Sequence, residues 1–420
     1  MLSSRGKQNA ETFNIPWRYA HPHTYDKETN PKGVISFGLA EHSPLRSDIA
    51  EYITNKVVFT EDSVGYKSAS PAAARLPRAA VSHLNQLLQP ITPIDPAELV
   101  VASGVTAIGS MLAISLAEPS DGILVSRPVY GRFELDYGIE AGVQMVYADT
   151  DIEEVFSPAV VDKYEVALED ATARGVTVRA VMVVNPHNPV GRCYPVETLR
   201  AILEFCNKHR LHFISDEIYA SCVFDSGDAS AHPFTSILSL STPDLIDPNL
   251  VHVLYGLSKD FASGGLRVGF LITKNAALRQ SCKSILRLHN TCELAVTATA
   301  AIFEDSEFVS QFTAKSQQHL AKTYRIITSK LDKEGIDYIR GGNAGFFVYV
   351  DLSPYLPAGS QTAQEKEFAL AQSLLDAGVF LHPGEEHSKS PGWFRMVFSQ
   401  DQDVLEEGLR RMLNVLRTLV

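Results

Sequence analysis

The chain has 420 residues, 45% hydrophobic and 20% charged, the balance of a globular protein with a sizeable buried core, which excludes a disordered chain and a fibrous repeat. At ~150 residues per domain, that length predicts two or three domains, or one large unit with an appendage. Its 37 lysines and arginines stand against 49 acids, a formal charge of −12, and no basic run exceeds Arg410-Arg411, so neither nucleic acid nor an anionic membrane is an expected partner.

No apolar stretch reaches the ~20 residues that span a bilayer. The opening MLSSRGKQNAETFNIPW has neither the apolar core of a secretory signal nor the Arg-rich, acid-poor pattern of a transit peptide, so a cytoplasmic location is expected. The five cysteines (193, 206, 222, 282 and 292) are odd in number and form no C-x-x-C pair, which predicts neither a disulfide framework nor a zinc site. The histidines of HPH at 21–23 and of KHRLH at 208–212 lie beside no cysteine or carboxylate cluster; they read as solvated or packed groups, and no metal is expected.

In chain order, the first sixty residues are loop-rich, with Pro16, Pro22 and Pro31, and too weakly patterned to fold alone. They are expected to pack on the carboxy-terminal part or on a partner subunit. From about residue 97, β-rich runs alternate with helical stretches, the pattern of a helix-covered, mainly parallel sheet. Seven strands are predicted, at 99–102, 122–127, 143–148, 178–184, 212–215, 251–255 and 268–273. Helical spacing is clear over 157–174, where Ser157 suits a cap and Pro158 a first turn, and over 195–208. Residues 61–305 thus read as a large domain. After Ser306 the pattern changes to a long amphipathic helix (307–334), a strand (345–350), a helix (363–376), strands near Val379 and Arg395, and a closing helix (402–418). Residues 306–420 read as a smaller α+β domain.

The sharpest local signal is Ser258-Lys259-Asp260, directly after the apolar run VHVLYGL and eight residues before Arg267. A lysine at the end of a buried strand is costly unless its amine is paired or used covalently, and an imine with an aldehyde achieves the second. Pyridoxal phosphate is such an aldehyde; it needs a carboxylate on its pyridine nitrogen, donors on its phenolic oxygen and a phosphate cradle. Asp216 in ISDEIY ends another buried strand. Tyr219, three residues on, and Asn188 in NPHNPVG suit the phenolic oxygen, the prolines fixing the turn that presents the amide. Gly104, Val105 and Thr106 join a strand to a helix start, where backbone N–H groups bind phosphate; Ser258 and Arg267 add a hydroxyl and a charged fork. Tyr130 in RPVYGRF is placed to stack on the ring. Each piece alone has an ordinary structural explanation: a turn, a surface pair, a helix cap, a core ring. Together they fall at strand ends in one order, where ligands of open α/β sheets bind.

These segments resemble the fold-type-I pyridoxal-phosphate enzymes of aminotransferase class I and II, and within them the 1-aminocyclopropane-1-carboxylate synthases and their relatives. The likeness runs nearly end to end, through GLAEH, ASGVTAIGSML, NPHNPVG, SDEIYA, YGLSKDFASGGLRVGF, NAGFFVYVDL and PGWFRMVFS. It implies Lys259 as the imine-forming lysine and roles for Asp216, Asn188, Tyr219, Ser258, Arg267 and Tyr130 that match the residue reading. It adds Arg395 as the grip on the substrate α-carboxylate, with Asn188 beside it, and Glu41 as a substrate-side carboxylate. It also implies a homodimer with active sites at the interface and an amino-acid substrate. Three positions depart from the family pattern. Gly256 stands where a phosphate-binding serine is usual, His42 follows Glu41 where the family has asparagine, and GYKSASPAAARLP replaces the segment whose tyrosine reaches the neighbouring site. In that segment the position falls on Ser70 without a gap and on Tyr66 with an insertion. Variable loops at 62–76 and 384–390, the latter with Glu385, Glu386 and His387, leave the substrate open. The expected chemistry is Cα-proton abstraction followed by a lyase-type outcome, C–S elimination or cyclopropane formation on S-adenosylmethionine, with aminotransfer as the alternative. A non-catalytic regulator on this fold would carry a helix-turn-helix extension and a basic face, which the first sixty residues lack.

Overall fold

The computed structural model describes residues 1–13, 24–65, 71–359, 361–384 and 390–419. Its strands in chain order are β1 (Ile35–Ser36), β2 (Leu99–Ala102), β3 (Gly122–Arg127), β4 (Gln144–Asp149), β5 (Val178–Val184), β6 (His212–Asp216), β7 (Val251–Gly256), β8 (Gly269–Thr273), β9 (Phe347–Asp351), β10 (Val379–Phe380) and β11 (Trp393–Val397). Seven of them form one sheet in the order β2-β8-β7-β6-β5-β3-β4. Only β8 runs antiparallel to its neighbours in that sheet. The apolar runs that fixed these strands are buried on both faces, as β7 (VHVLYG) and, apart from the exposed Arg179, β5 (VRAVMVV) show, because helices cover the sheet on either side. This is the α/β, fold-type-I architecture expected from the sequence.

The register of the central strands sets the floor of a cleft. Val184 on β5 pairs with Asp216 on β6, and Asp216 with Leu254 on β7, so these three side chains stand in one row at the carboxyl ends of parallel strands. The turns after those ends carry Asn188, Tyr219 and Lys259 to the same side.

A second apolar cluster, with Phe37, Phe346, Phe394, Leu405 and Met412, joins the helix Ser306–Glu334 to the last 75 or so residues. Asp305 starts that helix by accepting from the Phe308 N–H at 2.9 Å. β11 pairs antiparallel with β9, placing Arg395 opposite Tyr349, while β1 runs parallel to β10 and the Val397 N–H reaches the Phe37 carbonyl. Residues 35–37 are therefore bound into the structure around β10 and β11.

The structure adds to the local expectations at some points and corrects them at others. The first sixty residues, expected to be loop-rich, carry two helices, Ser4–Phe13 and Arg46–Lys56. The second of these buries only Ile49 and Tyr52, too sparse a stripe to register as a period. The helix Pro71–Leu88 went unread because Pro77 lies inside it. The helix expected from Ser157 begins at Val160; Ser157 Oγ instead accepts from Ala159 N, and its carbonyl from Val160 N, in a tighter preceding turn. Other boundaries shift by one or two residues, as at β4 and β9.

Candidate active site

A cavity of about 390 Å³ opens over the Val184, Asp216 and Leu254 row, within the size range of small-molecule sites. Lys259 projects into it from the single helical turn Leu257–Asp260 that follows β7. Its Nζ donates to the Ala40 carbonyl at 2.7 Å and lies 5.9 Å from the centre of the Tyr219 ring. Burial, helped by the Arg395 charge and opposed by Glu41, Cys222 and Asp216, lowers the amine to about 8. Asp216 is 6% exposed and accepts from the Ile218 N–H at 3.2 Å. Burial raises its carboxyl to about 7, against the Ile218 hydrogen bond and the Lys259 charge.

Arg395 enters from β11. Its Nη1 donates to Asn188 Oδ1 at 3.1 Å and its Nη2 to the Gly38 carbonyl at 2.7 Å, while the buried Nε has no hydrogen-bond partner among the described residues. An arginine with one arm open beside a cavity is built to receive a carboxylate. Tyr219 packs edge-on against Phe346 and Phe347, and burial holds its hydroxyl protonated, its pKa well above the ordinary value. Tyr130 stands edge-on to Phe133 on the cavity wall.

The region around Gly104 fits a phosphate. Gly104 has φ +96°, and a Cβ there would lie 2.6 Å from Arg267 Nη2. A Cβ on Gly269 would meet Gly104 C at 2.6 Å and Val105 N at 2.8 Å. Two residues without side chains thus let β8, the guanidinium and the start of the helix Val105–Leu116 close into a backbone-lined cradle, which Thr106 and Ser258 also face across the cavity. A cationic fork, helix-start N–H groups, a buried carboxylate and a buried amine are the donor set that pyridoxal phosphate requires. At Gly256 a Cβ would come within 2.8 Å of the Val268 carbonyl oxygen, so this backbone leaves no room for a serine.

Glu41 also lines the cavity; its carbonyl accepts from Ser399 Oγ at 2.6 Å and its carboxylate sits 3.4 Å from Arg46 Nη1. Of the described residues that the sequence assigned to cofactor or substrate, all but Gly104 line this one cavity, and Gly104 stands just behind Arg267. Tyr66 and Ser70 lie outside the described residues, as do Glu385, Glu386 and His387. Sequence reasoning missed Asp136, Arg132, Phe380 and His382 on the wall. Asp136 is raised to about 7 by burial and by Asp216, against Arg132 and Arg267. In RFELDYG it reads as an acid on an ordinary helical turn, and only the fold brings it to Asp216. His382 is paired with Arg395 across an antiparallel bridge, which puts both side chains on one face.

Fold and site together define a pyridoxal-phosphate-dependent enzyme fold of type I. Residues 49–412 match the family model described as aminotransferase class I and II, and the chain belongs to that family. Among curated proteins it is 31% identical to 1-aminocyclopropane-1-carboxylate synthase-like protein 1 of Mus musculus, over 99% of this chain and 83% of that one. It is 30% identical to 1-aminocyclopropane-1-carboxylate synthase of Glycine max, over 99% of this chain and 87% of that one. Among solved structures, the aromatic aminotransferase of Pyrococcus horikoshii superposes with a TM-score of 0.72 at 21% identity, over 94% of this chain and 98% of that one. The cofactor of this family is pyridoxal 5'-phosphate, as the sequence resemblance implied.

Proposed function

We propose that the protein removes the Cα proton of a bound amino acid and carries the reaction on as a lyase, by C–S elimination at a sulfur-bearing substrate or by ring closure on S-adenosylmethionine. When bound, the cofactor supplies an aldehyde for amines and a ring that withdraws electrons from Cα. Lys259 would hold it through its amine, Asp216 at the pyridine nitrogen, Asn188 and Tyr219 at the phenolic oxygen, and Gly104, Val105, Thr106, Ser258 and Arg267 at the phosphate, with Tyr130 against the ring face.

The residues divide the remaining work by position. Arg395, with its Nε open and its two Nη arms on neutral acceptors that a carboxylate outcompetes, binds the substrate α-carboxylate. Lys259, with its amine lowered to about 8 by burial, exchanges protons near neutral pH and serves as the base at Cα. Glu41 carries the lyase reading: it stands on the cavity wall with Lys259 and Arg395, within the GLAE segment that resembles the synthases. The segment replaced at 62–76 favours C–S elimination over cyclopropane formation.

We further infer two domains, 61–305 and 306–420, with residues 1–60 packed on the smaller one or on a partner, and a two-fold homodimer. Supporting the dimer, Val58, Phe59, Val64, Leu288 and Leu294 are exposed, and the turn Glu61–Val64 packs on the helix Glu293–Glu304. Five cysteines free of disulfides suit a cytoplasmic setting. Among the described residues no helix is long and apolar enough to cross a membrane.

The test is a single-turnover absorbance experiment on cofactor-loaded protein, mixed in turn with S-adenosylmethionine, a cysteine S-conjugate and common amino acids, without a keto-acid acceptor and with ammonia assayed. Regeneration of the starting spectrum with product formed supports the lyase; ammonia release marks elimination, and a cyclopropane amino acid marks ring closure. Accumulation of the aminated cofactor without ammonia would overturn it in favour of aminotransfer.

A further inference from the structure

Residues 36–42 form a strap whose backbone carbonyls hold two of the cations of the site, Arg395 and Lys259. The Gly38 carbonyl accepts from Arg395 Nη2 and the Ala40 carbonyl from Lys259 Nζ, each at 2.7 Å, and the Glu41 carbonyl accepts from Ser399 Oγ at 2.6 Å. The Ser36 carbonyl accepts from Gln400 Nε2 at 2.7 Å. Gly38 is closed in by Phe380 and His382, since a Cβ there would meet Phe380 Cε1 at 2.6 Å and His382 Cδ2 at 2.8 Å. The strap thus touches the carboxylate clamp and the reactive amine while carrying the Glu41 side chain into the cavity.

Its far end is pegged by His42, 1% exposed. His42 Nε2 lies 2.9 Å from His319 Nδ1 and His42 Nδ1 lies 3.2 Å from Ser316 Oγ, both partners standing on the helix Ser306–Glu334. His319 is hydrogen bonded onward to the Gln400 backbone. With the proton of neutral His319 on Nε2, its Nδ1 is an acceptor. His42 then donates from Nε2 and accepts the Ser316 hydroxyl proton at Nδ1. Every polar atom of the peg is satisfied with both rings neutral, and burial, reinforced by His319, keeps His42 so by lowering it to about 3.

We propose that His42 is a positioning residue for the reaction, anchoring the strap to the long helix so that Glu41 and the carbonyls of Gly38 and Ala40 are held against substrate, Arg395 and Lys259. This rests on the site reading given above. His42 touches neither substrate nor cofactor; it acts through its neighbour Glu41.

The test compares His42→Ala, His42→Asn and His319→Ala holoenzymes with the wild type in three readouts: kcat and KM separately, amide hydrogen exchange over 36–42, and thermal melting. Freed of its peg, the strap exchanges faster locally, and kcat/KM falls roughly ten- to a hundredfold, as misplacement of a reacting group by about an ångström does. His319→Ala, which removes the partner and leaves His42 in place, shows the same local pattern; His42→Asn, which keeps a short hydrogen-bonding side chain, recovers part of the loss. Unchanged kinetics and unchanged strap exchange in both alanine variants would overturn the proposal. So would a loss of melting temperature with kcat and KM untouched, which marks a merely structural histidine. A Lys259→Ala control separates the two levels: if it still yields a borohydride-reducible lysine adduct with the cofactor, the site reading itself fails, whatever His42 does.

Discussion

Replacing Arg395 by lysine removes a planar fork and leaves a single charged point at the end of a flexible stem. In the structure the guanidinium spans Asn188 Oδ1 at 3.1 Å and the Gly38 carbonyl at 2.7 Å and its buried Nε is unpaired, so a substrate carboxylate that displaces one of those neutral acceptors meets two parallel N–H arms. Lysine keeps the charge and forfeits one of those arms. A hydrogen bond to a charged group contributes about 1.5–3 kcal/mol, and each ~1.4 kcal/mol is a factor of ten, so Arg395→Lys is expected to lower kcat/KM roughly 10- to 150-fold. The assay is steady-state turnover of the substrate found in the single-turnover experiment, with cofactor absorbance recorded to confirm that the site is loaded. Arg395 is not placed on the cofactor, so its band stays unchanged while KM rises. A decrease below about threefold in kcat/KM would refute the bidentate clamp, as would loss of the cofactor band.

Three other outcomes follow from the same geometry. With Lys259 lowered to about 8, the neutral, nucleophilic fraction of the amine rises through that pH, so the rate of cofactor capture by the apoprotein climbs and levels off by about pH 9; a rate still rising tenfold per unit beyond pH 9 would mean an unperturbed lysine. Asp216→Asn removes a negative neighbour that helps raise Asp136, so Asp136 ionises at lower pH and its carboxyl titration, followed by NMR, moves down; an upward shift contradicts the proximity of the two carboxyls. Phe394 is fully buried beside Arg395 on β11, and Phe394→Ala should lower the free energy of unfolding in urea by about 3–5 kcal/mol, whereas a change under about 1 kcal/mol would contradict its place in the core.

How far the sequence reached is clearest at particular residues. Strands such as β3 and β5 were legible to the residue, because a strand covered on both faces is apolar over most of its length and these two end against Pro128 and Asn185-Pro186. Lys259, Asp216 and Asn188 were legible because each is a polar group set directly after such a run, a placement that burial alone would penalise. The helix Pro71–Leu88 was hidden by Pro77, and Arg46–Lys56 by its two-residue apolar stripe. Asp136 and His382 could not be found locally: one reaches Asp216 only through the packing of the turn after Tyr130, and the other stands by Arg395 only through a bridge between separate segments. His42 was visible as a departure from the resemblance, yet its meaning lies in His319 and Ser316, 277 and 274 positions away in the chain.

The central claim, that this cavity is organised around Lys259 as the residue that carries pyridoxal phosphate, is tested most directly by borohydride reduction of the loaded protein followed by peptide mass spectrometry. The account predicts one reduced phosphopyridoxyl group per chain, on Lys259, with none in Lys259→Ala. Label on a different lysine, or equal labelling of the variant, would contradict it.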